Sequence, residues 1–204
     1  MNLFTRIVCF ALLVAGLILL AFGSNVHSQE SRSFTGALAE AEKVSGDYFR
    51  FETKSPKGAR ILSAKRVSEP MARAIDRGLD DLFDAAREER KGYRKKMRHQ
   101  DYVIFVGNAD RIKNTKGEYS PDIAVGAAQY AGTKYDKGGY IFASGMVISP
   151  RANAFLIAEH TSDFERVARV VRYEGEHLVL YHNDRRRFTE TMDHSKGGGH
   201  PIFQ

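Results

Sequence analysis

Cysteine occurs once, at Cys9. That position falls inside an apolar leader, so the processed chain has no thiol nucleophile, no disulfide and no thiolate metal ligand. Any metal must then be held by His, Asp or Glu, and stability must come from packing alone. No Gly-x-Ser-x-Gly, phosphate loop or dinucleotide fingerprint occurs, which sets aside the hydrolases and nucleotide enzymes built on those motifs. Solenoid-length repeats and long low-complexity tracts are also missing from the 204 residues. One domain is the expectation.

A long membrane-spanning run is lacking too. The apolar stretch Ile7 to Phe22 covers 16 residues, short of the roughly 20 that a bilayer requires. It follows Arg6 and precedes small and polar residues, the order of a secretory signal peptide, with cleavage expected after Ser28 or Gly23. The expected organisation is a signal peptide over 1–28 and a single domain over 29–204, secreted or periplasmic, with no membrane span once the leader is removed.

Charge of one sign does not dominate. There are 31 Lys and Arg against 25 Asp and Glu, and the basic residues are dispersed instead of interleaved with stacking aromatics. This pattern argues against nucleic-acid binding and suits an exported protein with a basic surface. The dense clusters Arg94-Lys95-Lys96 and Arg185-Arg186-Arg187 read as solvated helix ends, where positive charge suits the helix dipole. An anionic-polymer site using Arg166, Arg169, Arg172 and Arg185 to Arg187 is the reading this argument disfavours.

Periodicity gives the order of elements. Ser31 to Val44 reads as a short amphipathic helix, Tyr48 to Glu52 and Ala59 to Val67 as strands. Ser68-Glu69-Pro70 is a helix start, an N-cap serine with proline in the first turn, and the helix carries Met71, Ile75, Leu79, Leu82, Phe83 and Ala86 on one face. Its end is expected near Lys96. Strands follow at Tyr102 to Val106, Ile123 to Ala131, Gly139 to Ser149 and Ala154 to Ala158. A last long helix is expected from Thr161 or Ser162. This succession fits an α+β domain whose mostly antiparallel sheet is backed by helices.

Chemistry concentrates late in the chain. Beyond Ser28 there are six histidines, and five of them, His160, His177, His182, His194 and His200, lie between 160 and 200. In a chain without usable cysteine, such clustering points to a metal site. The tail Asp193-His194-Ser195-Lys196-Gly197-Gly198-Gly199-His200 separates two candidate ligands by a glycine hinge that allows close backbone approach. Ile202 and Phe203 beyond it are able to dock on a core.

Within the last helix, Tyr173-Glu174-Gly175-Glu176-His177 keeps the frame of His-Glu-x-x-His, with Tyr173 where the first imidazole would stand. In the intact motif two histidines four apart bind zinc from one helical face while the Glu polarises the bound water. This stretch resembles the active-site helix of the zincin metallopeptidases, and the strands-then-helix order resembles their layout.

The resemblance implies zinc as cofactor, a peptide or amide bond as substrate, and Glu174 as general base. It also implies ligands drawn from His177, His182, His194 and His200. Glu176 is expected to face solvent. The alternative is a secreted or envelope domain of the same fold with no cofactor, acting as a binding or structural module for a peptide or envelope-protein partner.

Overall fold

Ser68 opens the first long helix as its spacing predicts. Its side chain accepts the Met71 N–H at 3.4 Å, and the helix, α2, runs Glu69–Glu88 with Pro70 in the first turn. Met71, Ile75, Leu79, Leu82, Phe83 and Ala86 are all buried along it. It stops eight residues before the expected Lys96. The apolar stripe ends at Ala86, and Gly92 turns the backbone at φ +59. Tyr93 and Met97 are buried beyond the turn.

The computed structural model describes residues 32–89, 92–109, 121–126, 131–159 and 162–203. Two units are distinguished, 1–36 and 37–204. Of the first, residues 32–36 are described and are helical. The expected leader lies outside the described residues, as does His160. A helix, α1, covers 32–45. Among the described residues no helix is long and apolar enough to cross a membrane.

Five strands form the main sheet: β1 Phe51–Lys54, β2 Arg60–Ser63, β3 Val103–Gly107, β6 Gly145–Ser149 and β7 Ala154–Ala158, in the order β1-β2-β3-β7-β6. β2, β3 and β7 run parallel in the middle, while β1 and β6 pair antiparallel at the two edges. The class is α+β, and the sheet is mixed. Every residue of β7 is buried, as parallel strands covered on both faces require. Ile104, Val106, Phe155 and Ile157 face the helices, and Phe105 meets Phe49 on the other side with ring centroids 5.1 Å apart.

The single strand expected over Gly139 to Ser149 is two strands in two sheets. β5, Ile141–Ala143, pairs antiparallel with β4, Ile123–Val125, whereas β6 joins the main sheet. The break falls at Ser144. Its hydroxyl donates to Asp122 at 2.5 Å and accepts from Arg166 at 2.7 Å. A polar anchor of this kind holds the chain out of continuous pairing.

The last long helix, α3, spans Phe164–Asn183 and is capped by Asp163, whose carboxylate accepts the Arg166 N–H at 2.9 Å. The cap thus lies one or two residues beyond the expected one. α3 packs against α2 at very short range. A Cβ on Gly78 would stand 2.5 Å from the Ala168 carbonyl oxygen, so no larger residue fits without separating the helices. α4, Arg185–Thr191, follows at once, and a single 3-10 turn, His194–Lys196, leads into the tail. Ile202 and Phe203 pack on the core, the docking their apolar character predicts.

Candidate metal centre

α3 crosses beneath β6, and the crossing sets the first part of the site. Gly145 lies so close that a Cβ there would meet Glu174 Cγ and Val170 Cγ1, each at 2.6 Å. The carboxyl of Glu174 accepts the backbone N–H of Val147. Burial is the larger influence and pushes this carboxyl up to about 8, the Val147 hydrogen bond opposing it. Glu174 is therefore protonated at neutral pH unless a positive charge stands beside it.

Three turns of chain bring histidines together next to it. His177 comes from α3, His194 from the 3-10 turn and His200 from the tail. One ligand atom from each lies within 4.8 Å of the others. Ring centroids are 5.2 Å apart for His177 and His194, 4.8 Å for His177 and His200, and 4.8 Å for His194 and His200. His177 is 4% exposed.

Burial lowers all three, His177 to about 3 and His200 to about 4, with the neighbouring imidazoles acting in the same direction on those two. They are neutral, which is the metal-binding form. His177 Nδ1 and His194 Nε2 are buried and without hydrogen-bond partners. Uncompensated buried polar atoms are costly, and a cation would satisfy them. A tetrahedral ion about 2.0–2.1 Å from each nitrogen sets the nitrogens roughly 3.4 Å apart. These three histidines can hold a metal ion.

The tail that carries His200 is tied down at both ends. Glu176, fully buried, accepts the Ile202 N–H at 2.8 Å, and its other oxygen is 3.7 Å from His200 Nδ1. Arg187 of α4 donates to the Pro201 carbonyl at 3.2 Å and to the Tyr93 hydroxyl at 3.1 Å, and pairs with Glu89 at 3.3 Å. Burial raises Glu176 to about 7, opposed by the Ile202 N–H and the Arg187 charge. Tyr173 stacks on the His200 ring with centroids 4.5 Å apart. Tyr173 thus packs directly on one of the three clustered imidazoles.

Glu176 corrects the expectation of a solvated charge. It falls three residues before Val179 and four before Leu180, both buried, and that spacing was the available signal. His182 is not brought to the other three. Because α3 continues through Asn183, His182 turns away to lie against Tyr181, ring centroids 5.0 Å apart. Burial lowers its pKa, helped by Lys96 and Arg185 and opposed by the Pro150 carbonyl.

Glu174, His177 and His194 share one cleft of about 630 Å³. Its wall comes from β5, β6 and the loop before them, with Phe188 and Met192 on the far side. The chain matches no protein family, no curated protein and no solved structure with which it was compared. What defines the class is the geometry: an α+β domain with a partly buried three-histidine cluster at a cleft.

Proposed function

We propose that this chain is an exported zincin-like hydrolase of peptide or other amide bonds, with zinc held by His177, His194 and His200 and Glu174 acting as general base. The observation that carries the reading is the convergence of three neutral imidazoles within 4.8 Å beside a carboxyl that lines the same cleft. Three nitrogen donors with no thiolate suit zinc, which leaves one position for water.

Zinc in such a site lowers the pKa of its water to about 7 and polarises a carbonyl. The chain's own residues do the rest. With zinc bound, Glu174 would ionise and serve as the general base that takes a proton from water and passes it to the leaving amine. Val147 holds the Glu174 carboxyl in place through its N–H. Glu176 faces Nδ1 of His200, which leaves Nε2 as the donor towards the cluster and fixes the ring.

Relative to the zincin pattern, the helix supplies one imidazole instead of two, and the tail supplies the remainder. The apolar run before residue 28 supports export. A peptide segment of an envelope protein is the expected substrate or partner.

The test is elemental analysis of the purified protein after growth with zinc, paired with hydrolysis of quenched fluorescent peptides. Stoichiometric zinc, and hydrolysis lost in Glu174→Gln with zinc retained, is the expected result. A metal-free protein, or unchanged hydrolysis in that variant, overturns the reading. Zinc without any hydrolysis returns the chain to a binding or structural module of the same fold.

A further inference from the structure

We infer that the cleft selects substrates that carry a carboxylate beside an apolar residue, and that Lys134 and Lys137 read that charge. The inference rests on the hydrolase reading above and names the substrate class of the same site.

Apolar side chains line much of the cleft, among them Ile141, Phe142, Met146, Ile148, Phe188 and Met192. They provide room and contact for an aliphatic or aromatic residue. Its charged lining residues are Lys134, Lys137 and Glu174. Glu174 is the floor carboxyl assigned to chemistry, and it either stays protonated or ionises beside a dication. In both states the cleft is net positive. A narrow opening lined by one sign of charge concentrates ligands of the opposite sign.

The loop that carries the lysines is built to leave them unneutralised. Asp136 sits between them in sequence, yet its carboxylate turns into its own loop. It accepts the N–H groups of Gly132 at 2.9 Å, Gly138 at 2.9 Å and Gly139 at 2.8 Å. The Lys137 N–H closes the turn on the Tyr140 carbonyl at 2.8 Å. Lys134 Nζ rests over the Tyr135 ring, 4.9 Å from its centroid. Among the described residues neither lysine has a carboxylate partner. Asp136 thus shapes the loop with its carboxylate turned to backbone N–H groups, while Lys134 and Lys137 both line the cleft.

The substrate carboxylate has two sources, an Asp or Glu side chain or the free end of a peptide, and the experiment separates them. Four quenched peptides share one apolar core. Three have amidated ends and acidic, neutral or basic flanks; the fourth is neutral with a free terminal carboxylate. With zinc-loaded full-length protein, kcat/KM for the acidic peptide is expected to exceed that of the basic one by about tenfold, from roughly threefold per lysine. The gap narrows as salt rises. A double Lys134→Glu/Lys137→Glu variant reverses the order, and Lys134→Gln/Lys137→Gln flattens it.

A preference for the free-terminus peptide over its amidated twin assigns the carboxylate to the chain end, and indifference there assigns it to a side chain. Equal kcat/KM across all flanks, or an unchanged order in the double Glu variant, overturns the inference while leaving the hydrolase reading intact. If no peptide is cleaved, fluorescence anisotropy with the same peptides decides. Tighter binding of the acidic peptide upholds charge selection and removes the hydrolase reading; equal or absent binding removes charge selection.

Discussion

Glu176 holds Ile202 and faces His200 with the same carboxyl group: one oxygen accepts the Ile202 N–H at 2.8 Å and the other lies 3.7 Å from the imidazole. A helix residue therefore anchors the tail and orients the imidazole that the tail carries. Glu176→Ala is expected to weaken zinc binding by about 10- to 100-fold, the usual effect of losing a partner of a metal-bound histidine. Glu176→Gln keeps an acceptor for Ile202 and should lose less. Chelator competition measures both, and wild-type affinity in the Ala variant would count against the orienting role.

Removing single imidazoles separates ligands from bystanders. His177→Ala, His194→Ala and His200→Ala should each abolish stoichiometric zinc, because among the described residues the cluster has three donors. His182→Ala should retain it, since that ring lies against Tyr181. Mass spectrometry of the metal content after dialysis distinguishes the four. A zinc-free His182→Ala protein would mean that the fourth ring also ligates.

The metal-free protein should be most stable in mildly acidic solution. His177 near 3 and His200 near 4 lie below the ordinary 6.5. Below pH 6.5 the unfolded chain gains protons that the folded one refuses, so stability falls with falling pH by about 1.4 kcal/mol per unit per histidine. Glu174 near 8 and Glu176 near 7 lie above the ordinary 4.5. Above pH 4.5 the unfolded chain releases protons that the folded one keeps, so stability falls as pH rises towards those values. The opposing slopes leave a maximum between about 4.5 and 6.5. Urea unfolding of chelator-treated protein from pH 3.5 to 8.5 tests this, and a steady rise to pH 8 would contradict it.

Gly145→Ala should disturb the site from the sheet side. Its Cβ would meet Glu174 Cγ and Val170 Cγ1 at 2.6 Å, so β6 or the glutamate must shift. Overpacking of this kind costs roughly 1–3 kcal/mol. Hydrolysis should fall further than zinc content, because the ligands lie elsewhere. Denaturant midpoints and metal analysis of one preparation read both effects, and an unaltered midpoint would show that β6 gives way freely.

Elements with strong local signals were legible in the chain. Ser68 and Pro70 marked the start of α2, and the run Ala154 to Ala158 is β7 to the residue. The split at Ser144 was hidden because it depends on Asp122 and Arg166, both more than 20 residues away. At the site, His177, His194 and His200 were visible as candidates from residue type alone. Their convergence was not, since it relies on Glu176 and Arg187 capturing a tail whose own sequence is mostly glycine and polar residues. His182 looked equivalent to them because five residues of spacing do not reveal whether a helix continues, and α3 does continue, to Asn183.

All three imidazoles come from one stretch, 177 to 200, whereas most of the cleft wall comes from 134 to 150. On the proposed reading, gripping an ion and discriminating among ligands fall to different segments of chain. Exchanges in the earlier segment are free to alter what is admitted without loosening the ion, so descendants of this architecture could diversify in diet while keeping one chemistry.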